Sequence, residues 1–156
     1  LCSLRVLCDC QLPTVKATTV LCEAFHLNFF AQALDGNASL VPEILGAYLK
    51  AGLIGGEVYL AKNAAREIIE VAIWFQPGQE SLGTTEQRAA GWEPLMGKLS
   101  KKCRSWWTYL LEGLYDQLVE NTLGAGIMLG AYHLKLIGMH PDLSEAGNCA
   151  NHDGDC

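Results

Sequence analysis

The chain has 156 residues, the length of one ordinary domain, and half of them are apolar while 18% are charged. This composition predicts a packed core and excludes a chain that is disordered throughout. The formal charge of -6 excludes a general nucleic-acid binder, because such a protein needs a basic surface to neutralise phosphates. The longest uncharged apolar run, Leu123–Leu134, is too short to cross a bilayer, and no secretory leader is visible. We therefore expect neither nucleic acid nor membrane as a partner.

The cysteine pattern favours a reducing compartment. There are seven cysteines, an odd number that would leave one unpaired in an oxidised framework. Cys22 and Cys103 fall within apolar helical patterns, where a free thiol behaves as a small hydrophobic group. The sequence thus predicts a cytoplasmic protein.

The first third of the chain predicts one strand and two helices. The strand is Leu4–Leu7, and helical spacing of apolar residues begins at Leu12. Ser39 is expected to cap a second helix that starts near Leu40 and ends near Gly52. The apolar face of the first helix is predicted to comprise Val15, Thr19, Cys22, Phe25 and Phe29.

The remainder predicts a β-hairpin, a helical insert and a last strand. The hairpin strands are Glu57–Ala61 and Ile68–Phe75, and the last strand is Tyr132–His140, stopped by Pro141. A weak helix over Thr85–Leu99, disturbed by Gly91 and Pro94, precedes a clear helix over Trp106–Leu118. The stripe expected to pack into the core is Trp107, Leu110, Leu111, Leu114 and Leu118. The element order indicates a mixed α/β (α+β) fold with a mostly antiparallel central sheet flanked by helices.

Three local motifs resemble the GNAT acetyltransferase superfamily, in particular its fungal members of unassigned substrate. The first motif is 55–61 (GGEVYLA), and the second is 71–79 (VAIWFQPGQ) followed by 86–89 (EQRA). The third is 131–141 (AYHLKLIGMHP). The resemblance covers roughly Leu4 to Leu143 and implies that residues 1–143 are the N-terminal part of a GNAT-like domain whose C-terminal half is missing. Residues 144–156 look like an unstructured tail outside the family pattern.

The resemblance implies an acetyl-CoA site on the last strand. Backbone groups of such a strand pair with the pantetheine arm and stabilise the developing oxyanion, which places Ile137, Gly138 and Met139 in that role. The family's pyrophosphate loop follows the proline as Q/R-x-x-G-x-G/A, and here Gly147 alone matches it. An ordinary buried strand is the alternative for the same residues. We expect an acetyl-CoA-dependent N-acetyltransferase, impaired in this chain, that acts on a small-molecule amine rather than a protein.

Proton removal from the amine needs a base, and His133 is the first candidate because it lies six residues before Met139, on the face expected for both. Glu57 and Glu70 are alternative bases or water holders, although solvated strand positions are their simpler interpretation. Tyr59 and Trp74 are candidates for lining an acceptor pocket, with strand packing as the alternative.

Codon degeneracy offers an explanation for the mismatch after the proline. Residues 144–150, read one base later, permit Gln-Arg-Gln-Gly-Ile-Ala in the register of the family loop. The corresponding hypothesis is that the chain leaves a GNAT reading frame, and is thereby truncated, after Leu143.

Two other functions remain open at this point. A non-catalytic remnant or interaction module would associate with itself through the exposed edge of the last strand. A small zinc protein would use Cys149, His152 and Cys156 with His140, although no metal is expected for the leading hypothesis.

Overall fold

A computed structural model describes residues 2–6, 14–25 and 28–144. The strands are β1 (Cys2–Val6), β2 (Glu57–Lys62), β3 (Ile68–Phe75) and β4 (His133–Met139). The helices are α1 (Thr14–Ala24), α2 (Asn28–Gln32), α3 (Val41–Gly55), α4 (Thr85–Gln87), α5 (Glu93–Lys98), α6 (Lys101–Tyr109), α7 (Tyr115–Leu123), α8 (Ile127–Gly130) and α9 (Pro141–Ser144). The mixed α/β fold and the predicted order of strands and helices are confirmed.

The sheet has the order β1-β2-β3-β4, and every neighbouring pair is antiparallel. The predicted hairpin is β2-β3, with a turn in which Arg66 adopts a φ of 64°. This reversal accounts for the polar segment that separates the two apolar runs.

A helical layer covers one face of the sheet. The β3 residues Val71, Ile73 and Phe75 alternate towards it and are completely buried. Helices α1 and α3 both contact this face, and α3 approaches so closely that a Cβ on Gly52 would lie 2.5 Å from Cγ2 of Ile73. The core of the molecule therefore lies between this face and the helices.

The predicted apolar face of the first helix is only partly correct: Cys22 and Phe25 pack against the core, whereas its other members are exposed. Val15 is 80% exposed, whereas Ala17, Val20 and Leu21 are buried. Phe29 lies beyond α1, in α2, and is also exposed. Two apolar stripes exist on this helix, and contact with α3 and with the sheet determines which of them is buried.

The predicted cap of the second helix is also corrected. The Asn37 side chain accepts hydrogen bonds from the backbone N–H and the hydroxyl of Ser39, at 3.1 and 2.6 Å. This caps a 3₁₀ turn, Ala38–Leu40, which leads into α3 without a side-chain cap at Leu40. Ser39 thus serves as a donor inside the turn, and Asn37 is the capping residue.

The predicted helix over Thr85–Leu99 forms, with a π-helical turn at Arg88–Trp92 between α4 and α5. Gly91 lies in this turn against α3, where a Cβ would meet Cα of Ala47 at 2.9 Å. The glycine that weakens the helical pattern is therefore needed for close packing between two helices.

The predicted core stripe of the later helix is correct only at its beginning. Trp107 is buried, and its Nε1–H donates to the carbonyl oxygen of Ala33 at 2.9 Å. After a second π-helical turn, Leu110–Leu114, the stripe emerges at the surface: Leu114 is exposed and Leu118 is 61% exposed. The expectation that Leu114 and Leu118 pack into the core is therefore wrong.

Candidate functional site

Strand β4 carries a β-bulge at Lys135. Ile73 pairs with Leu136, and the next residue of β3, Trp74, pairs with Leu134, so Lys135 is an extra residue in β4. Side chains alternate regularly along β3, whereas the extra residue shifts the alternation along β4. Residues of β4 on the two sides of the bulge therefore do not follow one regular alternation.

The bulge overturns the expectation that His133 and Met139 share a face. His133 pairs with Phe75 on the side of the helical layer, whereas Met139 pairs with Glu70 on the opposite side. Their spacing of six residues would place them on one face only in a regular strand. The two ends of β4 consequently belong to different surfaces of the sheet.

The outer edge of β4 pairs with no strand among the described residues. The N–H of His140 donates to the carbonyl of Ile69 at 2.8 Å, and alternation along the ladder directs the Gly138 amide towards β3 as well. The amides of Ile137 and Met139 then point to the outer edge. Of the three cofactor-binding residues expected on this strand, two present backbone groups there, and Gly138 packs against Leu21 and Ala24 of α1.

A cavity of about 410 Å³ lies where β4 begins, between the strand, the loop 80–83 and the helical insert. Its volume falls within the range of small-molecule sites. Its lining combines charged, polar and apolar side chains: Glu80, Ser81, Leu82, Gly83, Arg88, Trp92, Met96, Thr108, Tyr115, Met128, His133 and Lys135.

His133 lines this cavity and stacks on the Phe75 ring, with centroids 5.6 Å apart and planes 17° apart. Neither ring nitrogen makes a hydrogen bond of ordinary geometry to a described residue. Burial, reinforced by the Lys135 charge, lowers the pKa of His133 below its ordinary value of 6.5, with the Ala131 backbone and Glu80 acting in the opposite direction. A neutral imidazole at neutral pH follows.

Lys135 lines the same cavity and is not among the predicted site residues. Its Nζ lies 5.2 Å from the ring centroid of Tyr48 and 5.4 Å from that of Tyr115. Burial lowers the pKa of Lys135, and the Glu80 carboxylate partly offsets that effect. A signal was present in the sequence, since this lysine interrupts the apolar strand pattern Leu134–Ile137.

A smaller pocket of about 240 Å³ opens on the other face of the sheet. It is lined by Glu57, Tyr59, Trp74 and Tyr132, so Tyr59 and Trp74 do line one pocket. Glu57 is only 3% exposed and accepts hydrogen bonds from the Tyr59 hydroxyl and the Gln76 amide. The interpretation of Glu57 as a solvated residue is therefore wrong, because its side chain is buried. The two donors offset the cost of removing its carboxylate from water.

Several expected site residues lie outside the described part of the chain. These are Gly147 of the loop motif and the candidate zinc ligands Cys149, His152 and Cys156, within the tail 145–156. Within residues 2–6, 14–25 and 28–144, no group of three His, Cys, Asp or Glu residues could hold a metal ion. Over the same ranges no helix has both the length and the apolarity needed to cross a membrane.

The sequence matches none of the family models searched, and no curated protein aligns with it significantly.

Proposed function

We propose that this chain is a GNAT-type N-acetyltransferase that transfers an acetyl group from acetyl-CoA to a small-molecule amine. The observation that supports the proposal most strongly is the last strand. Strand β4 follows an antiparallel hairpin, contains a bulge, and presents the backbone amides of Ile137 and Met139 at an edge that no described strand covers. An extended pantetheine arm fits such an edge as an added strand.

Acetyl-CoA supplies the activated acetyl thioester, and the acceptor amine attacks its carbonyl carbon directly while the carbon–sulfur bond breaks. The outward amides of Ile137 and Met139 are placed to hold the arm and to donate to the carbonyl oxygen. His133 is our candidate base, because its lowered pKa keeps the imidazole neutral near pH 7 and able to accept a proton. Since it lies on the helical side at the far end of β4 from Met139, it would take that proton through bound water rather than directly. The buried Glu57 carboxylate is the alternative base.

The two cavities on either side of β4 favour a small amine over a protein as acceptor, since the larger, about 410 Å³, lies within the range of small-molecule sites and the smaller, about 240 Å³, lies just below it. The proposal includes a cytoplasmic location, supported by the free thiols of Cys22 and Cys103. Within residues 144–149 only Gly147 matches the family's phosphate loop, so we expect weak binding of acetyl-CoA.

The test replaces one outward amide. Proline is tolerated on an edge strand where its missing N–H faces away from the ladder, so Ile137→Pro removes the proposed donor and preserves pairing with β3. Ile137→Ala removes the side chain alone and is the matched control. We expect Ile137→Pro to weaken acetyl-CoA binding at least fivefold in calorimetry, whereas Ile137→Ala retains the affinity of the parent chain.

A second function is supported by the exposed apolar side chains of β4. Leu134, Ile137 and Met139 lie on the face opposite the helical layer, and each is exposed by 40% or more. An apolar strand with an open edge favours pairing with a second copy. Sedimentation of the same variants separates the two functions: absence of acetyl-CoA binding, with dimers that Ile137→Pro abolishes, would replace the transferase by an interaction module.

A further inference from the structure

The cavity at the start of β4 contains an excess of positive charge. Lys135 and Arg88 contribute two cations and Glu80 one carboxylate, while the lowered pKa of His133 keeps that side chain neutral. One net positive charge therefore remains inside a chain whose formal charge is -6. The cavity consequently differs in sign from the molecule around it.

Lys135 has no anionic partner at contact distance among the described residues. It belongs to none of their ion pairs within 4.0 Å and to none of their hydrogen bonds, and its ammonium contacts only the tyrosine rings at 48 and 115. Removing an ammonium group from water without a hydrogen-bonded counter-charge is costly. A ligand that brings an anionic oxygen to Nζ would offset that cost.

Further polar groups in the cavity lack partners. The Ser81 hydroxyl is buried without a hydrogen bond to a described residue, and the His133 ring nitrogens make none of ordinary geometry, although the Ala131 backbone lies close enough to raise the pKa of the ring. Buried polar atoms in folded proteins are usually hydrogen-bonded, so the Ser81 donor beside the Lys135 ammonium indicates a missing partner with oxygen atoms. Arg88 is held at the wall because its Nη1 donates to the Leu82 carbonyl at 2.8 Å.

The remaining wall is apolar and partly aromatic, formed by Leu82, Trp92, Met96 and Met128. One net positive charge complements a single negative charge better than the double charge of phosphate. We propose that this cavity binds a small monocarboxylate with an apolar or aromatic body, its carboxylate placed between Lys135 and Ser81. The site shares its cavity with His133, the candidate base of the proposed transfer, but its test uses no acetyl-CoA, so failure of one proposal is distinguishable from failure of the other.

The experiment titrates the whole chain separately with sodium benzoate, sodium acetate and inorganic phosphate at constant ionic strength. Calorimetry measures the heat of binding in each titration. We expect one saturable site that binds benzoate more tightly than acetate, and acetate more tightly than phosphate. Lys135→Met, which keeps the length of the side chain and removes its charge, should weaken benzoate at least tenfold. Lys16→Met, an exposed lysine of α1 outside the cavity, is the matched control and should not change the affinity.

Absence of saturable benzoate binding, or equal affinity in Lys135→Met and the parent chain, would overturn the proposal. Tighter binding of phosphate than of benzoate would also overturn it, since it would indicate a site for a doubly charged group. If Lys135→Met shows no cooperative thermal transition and is therefore not folded, the benzoate affinity of Ser81→Ala is measured in its place. The loss of one hydroxyl donor should weaken benzoate binding about tenfold or more, as expected for a hydrogen bond to a charged group, and unchanged affinity would contradict the site.

Discussion

At the scale of single residues, Gly52 shows how closely α3 packs on the sheet. A Cβ at this position would lie 2.5 Å from Cγ2 of Ile73 and 3.2 Å from Cγ2 of Val58. Both neighbours are themselves buried in the core and have little room to move. We expect Gly52→Ala to lower the free energy of unfolding by about 1–3 kcal/mol through overpacking.

Gly46, six residues earlier in α3, is the matched control. A Cβ there would have Oγ1 of Thr18 as its nearest neighbour, at 3.9 Å, which is ordinary contact. Gly46→Ala should therefore raise the free energy of unfolding by about 0.5–1 kcal/mol, since alanine is the better helix former. Urea unfolding of both variants measures the two changes, and equal signs would contradict the packing described for α3.

At the scale of an element, the helical segment from Lys101 to Leu123 is anchored in the core near its start, by Cys103 and Trp107, and exposes its apolar stripe towards its end. Trp107 packs edge-on against Trp92 with ring centroids 5.3 Å apart, and its substitution by alanine should cost about 3–5 kcal/mol. Leu118→Ala, on the same apolar stripe, should change stability by less than about 0.5 kcal/mol because the side chain is already in water. Thermal unfolding compares the two, and a large loss in Leu118→Ala would contradict its exposure.

Elements also show what periodicity can and cannot predict. The predicted bounds of the two hairpin strands agree with the observed ones to within one residue. Apolar runs broken by turn residues have few alternative structures, so they are predictable from the sequence. The buried side of α1 is not, because its two apolar stripes, one through Val15 and one through Ala17, satisfy the same helical spacing. Which stripe is buried depends on contacts distant in sequence, and periodicity carries no information about them.

At the scale of the whole molecule, His133 links stability to pH. Its pKa is lowered in the folded state, mainly by burial, so between that value and 6.5 the unfolded chain binds more protons than the folded chain. Stability contributed by the neutral ring is therefore complete above pH 6.5 and is lost as the pH falls through this window.

The check is the denaturation midpoint of the parent chain and of His133→Phe between pH 5 and 8. Phenylalanine retains a ring to stack on Phe75 and does not titrate. We expect the parent chain to lose stability towards pH 5 more steeply than the variant. Parallel pH profiles would show that His133 does not contribute to the acid sensitivity of the fold.

The candidate site was only partly predictable. His133, Ile137 and Met139 were selected by their place on the last strand, and the structure puts them on one strand with an open edge. Lys135, Glu80, Arg88 and Ser81 were not selected, because the cavity joins β4 to a loop and a helix more than forty residues earlier in the sequence. A cavity made by long-range packing leaves no local pattern, whereas a strand does.

The bulge at Lys135 also determines which face of the sheet the first residues of β4 occupy. With this extra residue outside the ladder, His133 lies on the side of the helical layer. Deletion of Lys135 alone would leave Leu134 opposite Trp74 and His133 opposite Phe75, the pairs they already form, so the imidazole would stay beside the cavity while the lysine charge is lost. Pairing Lys135 itself with Trp74 in a regular ladder would, by contrast, move His133 to the opposite face of the sheet.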